Sequence, residues 1–335
     1  RSQTTSVYLS DNYAVSDSMS LVFSGRYNRT TVKADDRHNA DGRLNANYTY
    51  TKFNPSLGFT FATGTSSSVY ANWGQGNRAP TPIELGCADP DNPCSLPNAM
   101  AADPFLEQIV SQTVEAGIGG GAENGIQYTA AIFQATNKDD LLFVAANTAG
   151  QGYFKNFGET NRQGAEISLN GTLGDRLNWG LNYSYVDATF ESPACVVSEV
   201  NSAEDEDNCG EDQIRITPGN SIPGIPKHQL RIRGDWAFSS SWNLNLTGVH
   251  FSDSYVHGNE NNLHNSRGKV ESYQVFNLAT TYQTEGNWQI YGKITNLLDK
   301  KYSSAGILAE NSFDANGNFI TTMDGDEPDW TNETF

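Results

Sequence analysis

Residues 229–238 read QLRIRGDWAF, and the order of side chains in this segment indicates the architecture of the whole chain. Apolar side chains and Gly234 occupy every second position, while the positions between them carry Arg231, Arg233 and Asp235. Successive side chains of a β-strand point to opposite faces, so this strand has one apolar face and one charged face. A strand that crosses a membrane in a barrel needs this pattern, because one face meets lipid and the other meets a polar lumen.

The same period of two recurs along the chain. It is present at residues 21–27, 177–185 and 288–295, where aromatic or aliphatic side chains alternate with polar ones. Tryptophan also lies within a few residues of short turns, at Trp179, Trp236, Trp242 and Trp288. Aromatic residues at one level of a membrane-spanning sheet are typical of the membrane–water interface.

The connections between these strands alternate in length. Short ones fall at residues 16–18, 63–67, 122–125, 174–175, 239–240 and 285–286. Long ones fall at residues 33–41, 78–107, 139–152, 191–222, 253–269 and from 298 onward. The alternation predicts an all-β fold, an antiparallel up-and-down transmembrane β-barrel with short periplasmic turns, long extracellular loops and about twelve strands. It places the protein in the outer membrane of a Gram-negative bacterium.

Composition excludes some classes of protein. Only 37% of the 335 residues are hydrophobic, and no run of about eighteen apolar residues offers a transmembrane helix. The net charge of −18 argues against nucleic acid as a partner, because phosphate contacts require a basic surface. Much of the acid is concentrated in residues 199–212. This segment is interpreted either as a solvated loop or as a site for divalent cations.

Four cysteines form two close pairs in long loops, Cys87 with Cys94 and Cys195 with Cys209. Even number, local spacing and an extracytoplasmic position predict two disulfides. Zinc is the weaker alternative, because neither pair has C-x-x-C spacing or a nearby histidine. We therefore predict no metal site and no cofactor.

Catalytic motifs do not support an enzyme. The sequence contains neither G-x-S-x-G nor H-E-x-x-H. Residues 117–122, GIGGGA, match a relaxed dinucleotide fingerprint, but no helix is predicted to follow, so they are interpreted as the end of a strand. Two other classes remain as alternatives, a complete twelve-stranded autotransporter-type pore or outer-membrane enzyme and a soluble β-sandwich used for adhesion.

Several motifs resemble TonB-dependent outer-membrane receptors. They are NRAPTPIEL at residues 77–85, DPFLEQIVSQTVEAGI at 103–118, KNFGETNRQGAEISL at 155–169, SIPGIPKHQLRI from 221, ESYQVFNLATTY from 271 and YGKITNLLDKKY at 291–302. Their order is similar to that of the later barrel strands of this family.

The resemblance implies a larger protein. Family barrels have twenty-two strands, an N-terminal plug domain and a segment that contacts the energy-coupling protein TonB. Residues 1–335 are therefore interpreted as the C-terminal part of the barrel domain. The plug and the final strand are expected to be absent from this chain, since residues 326–335 lack alternation. Expected partners are the TonB complex, the plug domain, outer-membrane lipid and lipopolysaccharide.

The resemblance also assigns roles to charged residues on the lumen side of the strands. Glu115, Glu166, Arg231 and Arg233 are expected to face the plug, or alternatively to be hydrated or paired with one another. The expected function is active import of a scarce small chelate, most simply a ferric siderophore. Cobalamin, haem, another metal chelate and carbohydrate are the alternatives.

Candidate ligand-binding residues lie in or beside the long loops. The loop at residues 253–269 offers Tyr255, His257, His264 and Arg267, and two further candidates, Arg78 and Tyr153, lie at strand–loop junctions. Its histidines are interpreted either as ligands for a metal or haem or as hydrogen-bonding and stacking contacts.

Overall fold

The computed structural model describes residues 1–35, 45–90, 92–95, 105–122, 125–145, 151–203, 205, 208–210, 212–265 and 267–308. The elements are β1 (Ser2–Ser16), β2 (Met19–Ala34), β3 (Ala46–Ala62), β4 (Ser67–Arg78), α1 (Pro82–Leu85), β5 (Cys94–Ser95), β6 (Ile109–Gly121), β7 (Gln127–Ala145), β8 (Gln151–Leu173), β9 (Leu177–Phe190), β10 (Ala194–Val197), β11 (Gln213–Ile216), β12 (His228–Ala237), β13 (Trp242–Phe251), β14 (Ser254–Tyr255), β15 (Lys269–Val270), β16 (Tyr273–Gln283) and β17 (Gln289–Ile294).

The long strands form one antiparallel sheet in the order β1-β2-β3-β4-β6-β7-β8-β9-β12-β13-β16-β17. Each strand pairs with its neighbours along the chain, so the up-and-down topology and the predicted twelve strands are confirmed. Within the described residues the sheet has two edges, β1 and β17, and does not close on itself. The all-β prediction is also confirmed for the described residues, which contain one helical turn, α1, inside a loop.

Short turns lie at one end of the sheet and long connections at the other. Glycine permits two of the tight turns, because Gly125 and Gly174 have φ angles of 82° and 58°, a left-handed conformation that residues with a Cβ atom rarely adopt. No helix of the described residues is long and apolar enough to span a membrane.

The register shows that the apolar positions of all twelve strands share one face. Residues directly opposite each other in a ladder point the same way, and one such row runs from Leu181 through Ile232 and Gly248 to Phe276. We call this the apolar face and the opposite one the polar face. Large side chains on the apolar face are exposed, with Phe53 at 58% and Ile132 at 65%. Exposure on this scale fits contact with lipid.

The buried cores lie at the end with long connections. One cluster joins Val32 and Tyr50 to Leu85 and Leu106, and a second includes Phe190, Ile214 and Ile216; three smaller side chains, Val256, Val270 and Leu308, form a third. Val32, Tyr50 and Phe190 project from the polar face according to the register. The described parts of the loops at residues 79–108 and 191–227 therefore pack against the polar face.

Both predicted disulfides are present, Cys87–Cys94 and Cys195–Cys209, each with Cα atoms 5.5 Å apart. No free cysteine remains among the described residues, so the zinc alternative is not supported. Residues 326–335, which are predicted not to form the final barrel strand, lie outside the described residues. So do four acids of the acidic segment, Glu204, Glu206, Asp207 and Glu211.

Candidate functional site

The four charged residues assigned to the lumen share the polar face. Glu166 lies opposite Ser184 on β9. Arg231 lies opposite Asn182, which is two residues before Ser184 on β9 and therefore on the same face. Arg233 follows Arg231 by two residues on β12 and shares its face. Glu115 on β6 shares this face as well, because it lies opposite Phe133, which in turn lies opposite Gly164, two residues before Glu166 on β8. The alternation in sequence therefore places these four side chains on one surface, as expected.

A hydrogen bond fixes the Glu115 carboxylate. The hydroxyl of Tyr70 on the neighbouring strand donates to Oε1 of Glu115 at 2.6 Å. The ring of Tyr70 reaches this position because Gly117 has no side chain, and a Cβ atom there would lie 2.7 Å from the ring. The glycine-rich run that matches a nucleotide fingerprint is thus a strand segment, as predicted, and it leaves room for an aromatic residue.

The other charges of this surface differ in how far they are neutralised. Arg233 forms a salt bridge of 3.0 Å with Asp235, whose carboxylate also accepts a hydrogen bond from Asn245. In the described part of the chain, Glu166 and Arg231 form no salt bridge and no side-chain hydrogen bond. Their charges remain available to a group that approaches the polar face.

The predicted ligand residue Arg78 binds a loop. Its guanidinium forms two parallel hydrogen bonds of 2.8 and 2.9 Å to the Glu84 carboxylate. Glu84 also accepts from the backbone of Thr81, which caps α1 in return. Burial would raise the pKa of Glu84, but the hydrogen bonds from Arg78 and Thr81 outweigh it and hold that pKa below its ordinary value. Arg78 therefore anchors the segment that carries the Cys87–Cys94 disulfide.

Tyr153 also takes part in packing. It lies on β8 and contacts the buried cluster beneath the β10–β11 hairpin. The neighbouring Lys155 ammonium donates to the carbonyl of Cys195 at 3.3 Å, which ties β8 to the disulfide-bonded hairpin. Burial lowers the pKa of Lys155. Both residues hold the loop at 191–227 against the sheet.

The histidines of the loop at residues 253–269 lie in different environments. His257 is exposed, and its Nδ1 is 3.7 Å from Glu260, which raises the pKa of the imidazole. His264 is buried, its Nδ1 accepts a hydrogen bond of 2.9 Å from the Ser202 backbone, and burial lowers its pKa. No group of three or more metal-ligating side chains occurs in the part of the chain that the structure describes.

Asparagines organise this loop, which the sequence analysis did not detect. Asn201, Asn259 and Asn261 are at most 2% exposed. Asn201 donates to the Gly258 carbonyl at 2.8 Å, and Asn261 donates to the Ala203 carbonyl at 2.9 Å. The segment GNENNLHN at residues 258–265 contained the signal, because repeated asparagines readily hydrogen-bond to nearby backbone groups.

The remaining ligand candidates lie at the rim of the same loop. The ammonium of Lys269 lies 4.5 Å from the Tyr255 ring centre and forms a 2.9 Å salt bridge with Asp253. Arg267 is exposed, and its backbone N–H donates to Asn265. None of the six predicted ligand residues lines the open groove beside this loop.

An open groove of about 390 Å³ lies beside this loop and was not predicted. Its walls include Lys269, Lys300 and Lys301 together with Tyr273, whose ring stacks on Tyr302 at 4.6 Å. Glu271 lines the same groove, and Asp253 pairs with Lys269, so the local charge is close to balanced. The groove offers aromatic surface and hydrogen-bond donors.

Comparison with known proteins identifies the class. The sequence model of the family described as "TonB dependent receptor-like, beta-barrel" matches residues 1–297. The chain belongs to this family of outer-membrane proteins of Gram-negative bacteria, and the resemblance noted from its motifs is confirmed.

Individual relatives are longer than this chain. It is 24% identical over 324 residues to the probable TonB-dependent siderophore receptor PiuA of Acinetobacter baumannii, covering 94% of this chain and 39% of that protein. The crystal structure of PiuA superposes with a TM-score of 0.63 at 20% identity, covering 91% of this chain and 40% of PiuA. The copper transporter OprC gives 0.62 at 16% identity, covering 90% and 44%. At these identities the structures show a shared fold alone, and the chain spans about two fifths of the relatives it matches.

Proposed function

We propose that this chain forms the C-terminal part of the barrel of a receptor that imports a ferric siderophore with energy supplied through TonB. The match to the receptor-barrel family over residues 1–297 supports the proposal most strongly. The relative PiuA, which bears the name of a probable siderophore receptor, supports the ligand class. The protein would transport its ligand chemically unchanged, as a transporter and not an enzyme.

The polar face gives the proposal a physical basis. Glu166 and Arg231 lack partners among the described residues, and Glu115 holds a single hydrogen bond from Tyr70. Exposed charges on a lumen wall are stabilised by water or by opposite charges of a domain inside the barrel. A plug domain that precedes this chain would supply such charges, and a segment ahead of the plug would contact TonB.

The covered extracellular end supports a binding role for the loops. Two disulfide-bonded loops pack over the polar face, and the open groove lies beside a third loop. A preorganised rim reduces the entropy that a ligand must lose on binding. We propose that Arg78, Tyr153 and the loop residues Tyr255, His257, His264 and Arg267 shape this rim, with Arg78, Tyr153 and His264 acting through packing.

Uptake of radioactive iron tests the function. A strain lacking the complete receptor, complemented with the wild-type gene, is expected to accumulate iron-55 from a panel of ferric siderophores, and accumulation should cease when TonB is deleted. Uptake of copper in the same cells serves as the second arm, because OprC is structurally similar. TonB-dependent copper uptake without siderophore uptake would overturn the proposed ligand and retain the transport mechanism.

A further inference from the structure

Three basic residues stand together on the apolar face at the extracellular ends of β1 and β2. Arg29 and Lys33 lie two and six residues after Tyr27 on β2, so their side chains share the apolar face with Tyr27. The backbone N–H of Lys33 donates to the Arg1 carbonyl at 2.8 Å, which places Arg1 beside Lys33. We call Arg1, Arg29 and Lys33 the basic patch.

The cross-strand neighbours of the basic patch are neutral, and the first acid after Lys33 along the chain, Asp35, lies beyond the end of β2. Arg29 lies between Thr5 on β1 and Thr51 on β3, and Lys33 lies opposite Asn47. Within the described residues, the side chains of the patch form no salt bridge. The chain has 39 acidic and 21 basic residues, so three basic side chains without an acid between them are unusual on its surface.

The height of the patch matches the head-group region of a membrane. The apolar band on β2 ends at Tyr27, which is 48% exposed. At about 3.4 Å per residue along a strand, and with strands tilted by roughly 40°, Arg29 lies at the upper edge of the hydrocarbon region. Lys33 stands about 10 Å further out by the same geometry, where the sugar and phosphate groups of the outer leaflet begin.

The patch is held on a rigid platform. On the opposite face of the same strands, Val32 and Tyr50 are buried at 0% and 4% exposure beneath the loop that carries α1. The basic side chains therefore project from hydrogen-bonded strands whose opposite face is packed against a loop. A fixed array of basic groups suits phosphate, because the guanidinium of arginine donates to two phosphate oxygens in one plane.

We propose that the basic patch binds the phosphate groups of lipid A, the phosphorylated glycolipid of the outer leaflet. Threonine hydroxyls at positions 5, 31 and 51 would complete the site as donors to sugar and phosphate oxygens. The proposal depends on the membrane position of the family and not on the ligand that is imported.

Binding to vesicles tests the proposal. The complete receptor, purified from outer membranes, would be titrated with phosphatidylcholine vesicles that contain bisphosphorylated lipid A or its dephosphorylated form. Each basic residue near a membrane surface contributes about 1 kcal/mol, so Arg29→Gln with Lys33→Gln should weaken binding about thirtyfold, the equivalent of about 2 kcal/mol. Wild type should bind the dephosphorylated form as weakly as this variant binds lipid A.

A matched variant controls for net charge. Arg26 on β2 and Lys52 on β3 lie on the polar face, so Arg26→Gln with Lys52→Gln removes the same charge from the other side of the sheet and should change binding less than twofold. Heat-dependent gel migration would establish that each variant is folded. Equal lipid A binding by the patch variant and wild type would overturn the proposal, as would equal binding of lipid A and its dephosphorylated form by the wild type.

Discussion

The hydroxyl of Tyr70 donates a 2.6 Å hydrogen bond to the Glu115 carboxylate across two paired strands. The Tyr70 ring occupies the space above Gly117, the next residue on the same face of β6. An invading methyl group at position 117 would meet both this ring and the Ala130 carbonyl at 2.7 Å. A small residue thus determines the position of a charge on the polar face.

Gly117→Ala should destabilise the barrel by about 1–3 kcal/mol, the usual cost of overpacking. Gly121→Ala on the same strand is the control, because a Cβ atom there would meet nothing within 4 Å. Urea-induced unfolding of the complete receptor in detergent would measure both. If the two substitutions cost the same, the close approach of Tyr70 to Gly117 is not what requires the glycine.

Asn262 should stabilise the loop at residues 253–269 in two ways, through its left-handed backbone conformation and through its side-chain hydrogen bonds. Its φ angle is 62°, and its amide group bonds to the N–H and the carbonyl of Ser221 at 2.5 and 3.0 Å. Asn262→Gly keeps the left-handed backbone and loses the side-chain bonds, whereas Asn262→Ala loses both. Hydrogen exchange of residues 253–269 should therefore accelerate more for Ala than for Gly, by roughly 1 kcal/mol of local stability. The reverse order would contradict this account.

The two histidines of the same loop should respond to pH in opposite directions. Burial lowers the pKa of His264, so the stability that neutral His264 provides is complete above its unfolded pKa of about 6.5 and is lost as the pH falls below that value. Glu260 raises the pKa of His257, so its contribution is complete below about pH 6.5 and is lost as the pH rises through the raised value.

Hydrogen exchange at pH 5.5 and 7.5 separates these contributions. His264→Asn, which places an oxygen near the position of Nδ1, should remove much of the loss of loop protection in acid. His257→Gln should leave that loss in place, and its own effect should be small because the side chain is exposed. An acid response that persists unchanged in His264→Asn would assign the response to another group.

Reduction should loosen one extracellular loop more than the other. The Cys195–Cys209 bond joins residues 14 positions apart, and the Cys87–Cys94 bond joins residues 7 positions apart. A disulfide that closes a longer loop restricts the unfolded chain more and stabilises the folded loop more, by about 3 kcal/mol for the longer one. Limited proteolysis with and without dithiothreitol should show faster cleavage at 191–227, reproduced by Cys195→Ser with Cys209→Ser. Faster cleavage at 79–108 than at 191–227 would be inconsistent with the chain-entropy argument.

Periodicity predicted the sheet well because lipid and lumen impose opposite requirements on alternate positions. The faces of β12, the turn lengths and the disulfides followed from local sequence. The loop interiors did not, because their contacts join segments far apart in the chain. The backbone N–H of Ser202 donates a hydrogen bond to His264, which is 62 positions away in sequence. No local sequence pattern indicates this contact. Arg78 was predicted as a ligand residue, yet Glu84, six residues away, already binds both terminal nitrogens of its guanidinium.

In a receptor barrel, lipid contacts one face of the sheet and a polar lumen contacts the other. Nitroxide labels at consecutive positions 230–235 of the complete receptor in bilayers would test it directly. Labels at Leu230, Ile232 and Gly234 should collide with oxygen dissolved in lipid, while those at Arg231, Arg233 and Asp235 should collide with a water-soluble nickel chelate. Equal accessibility along the strand, or the opposite alternation, would contradict the receptor-barrel account.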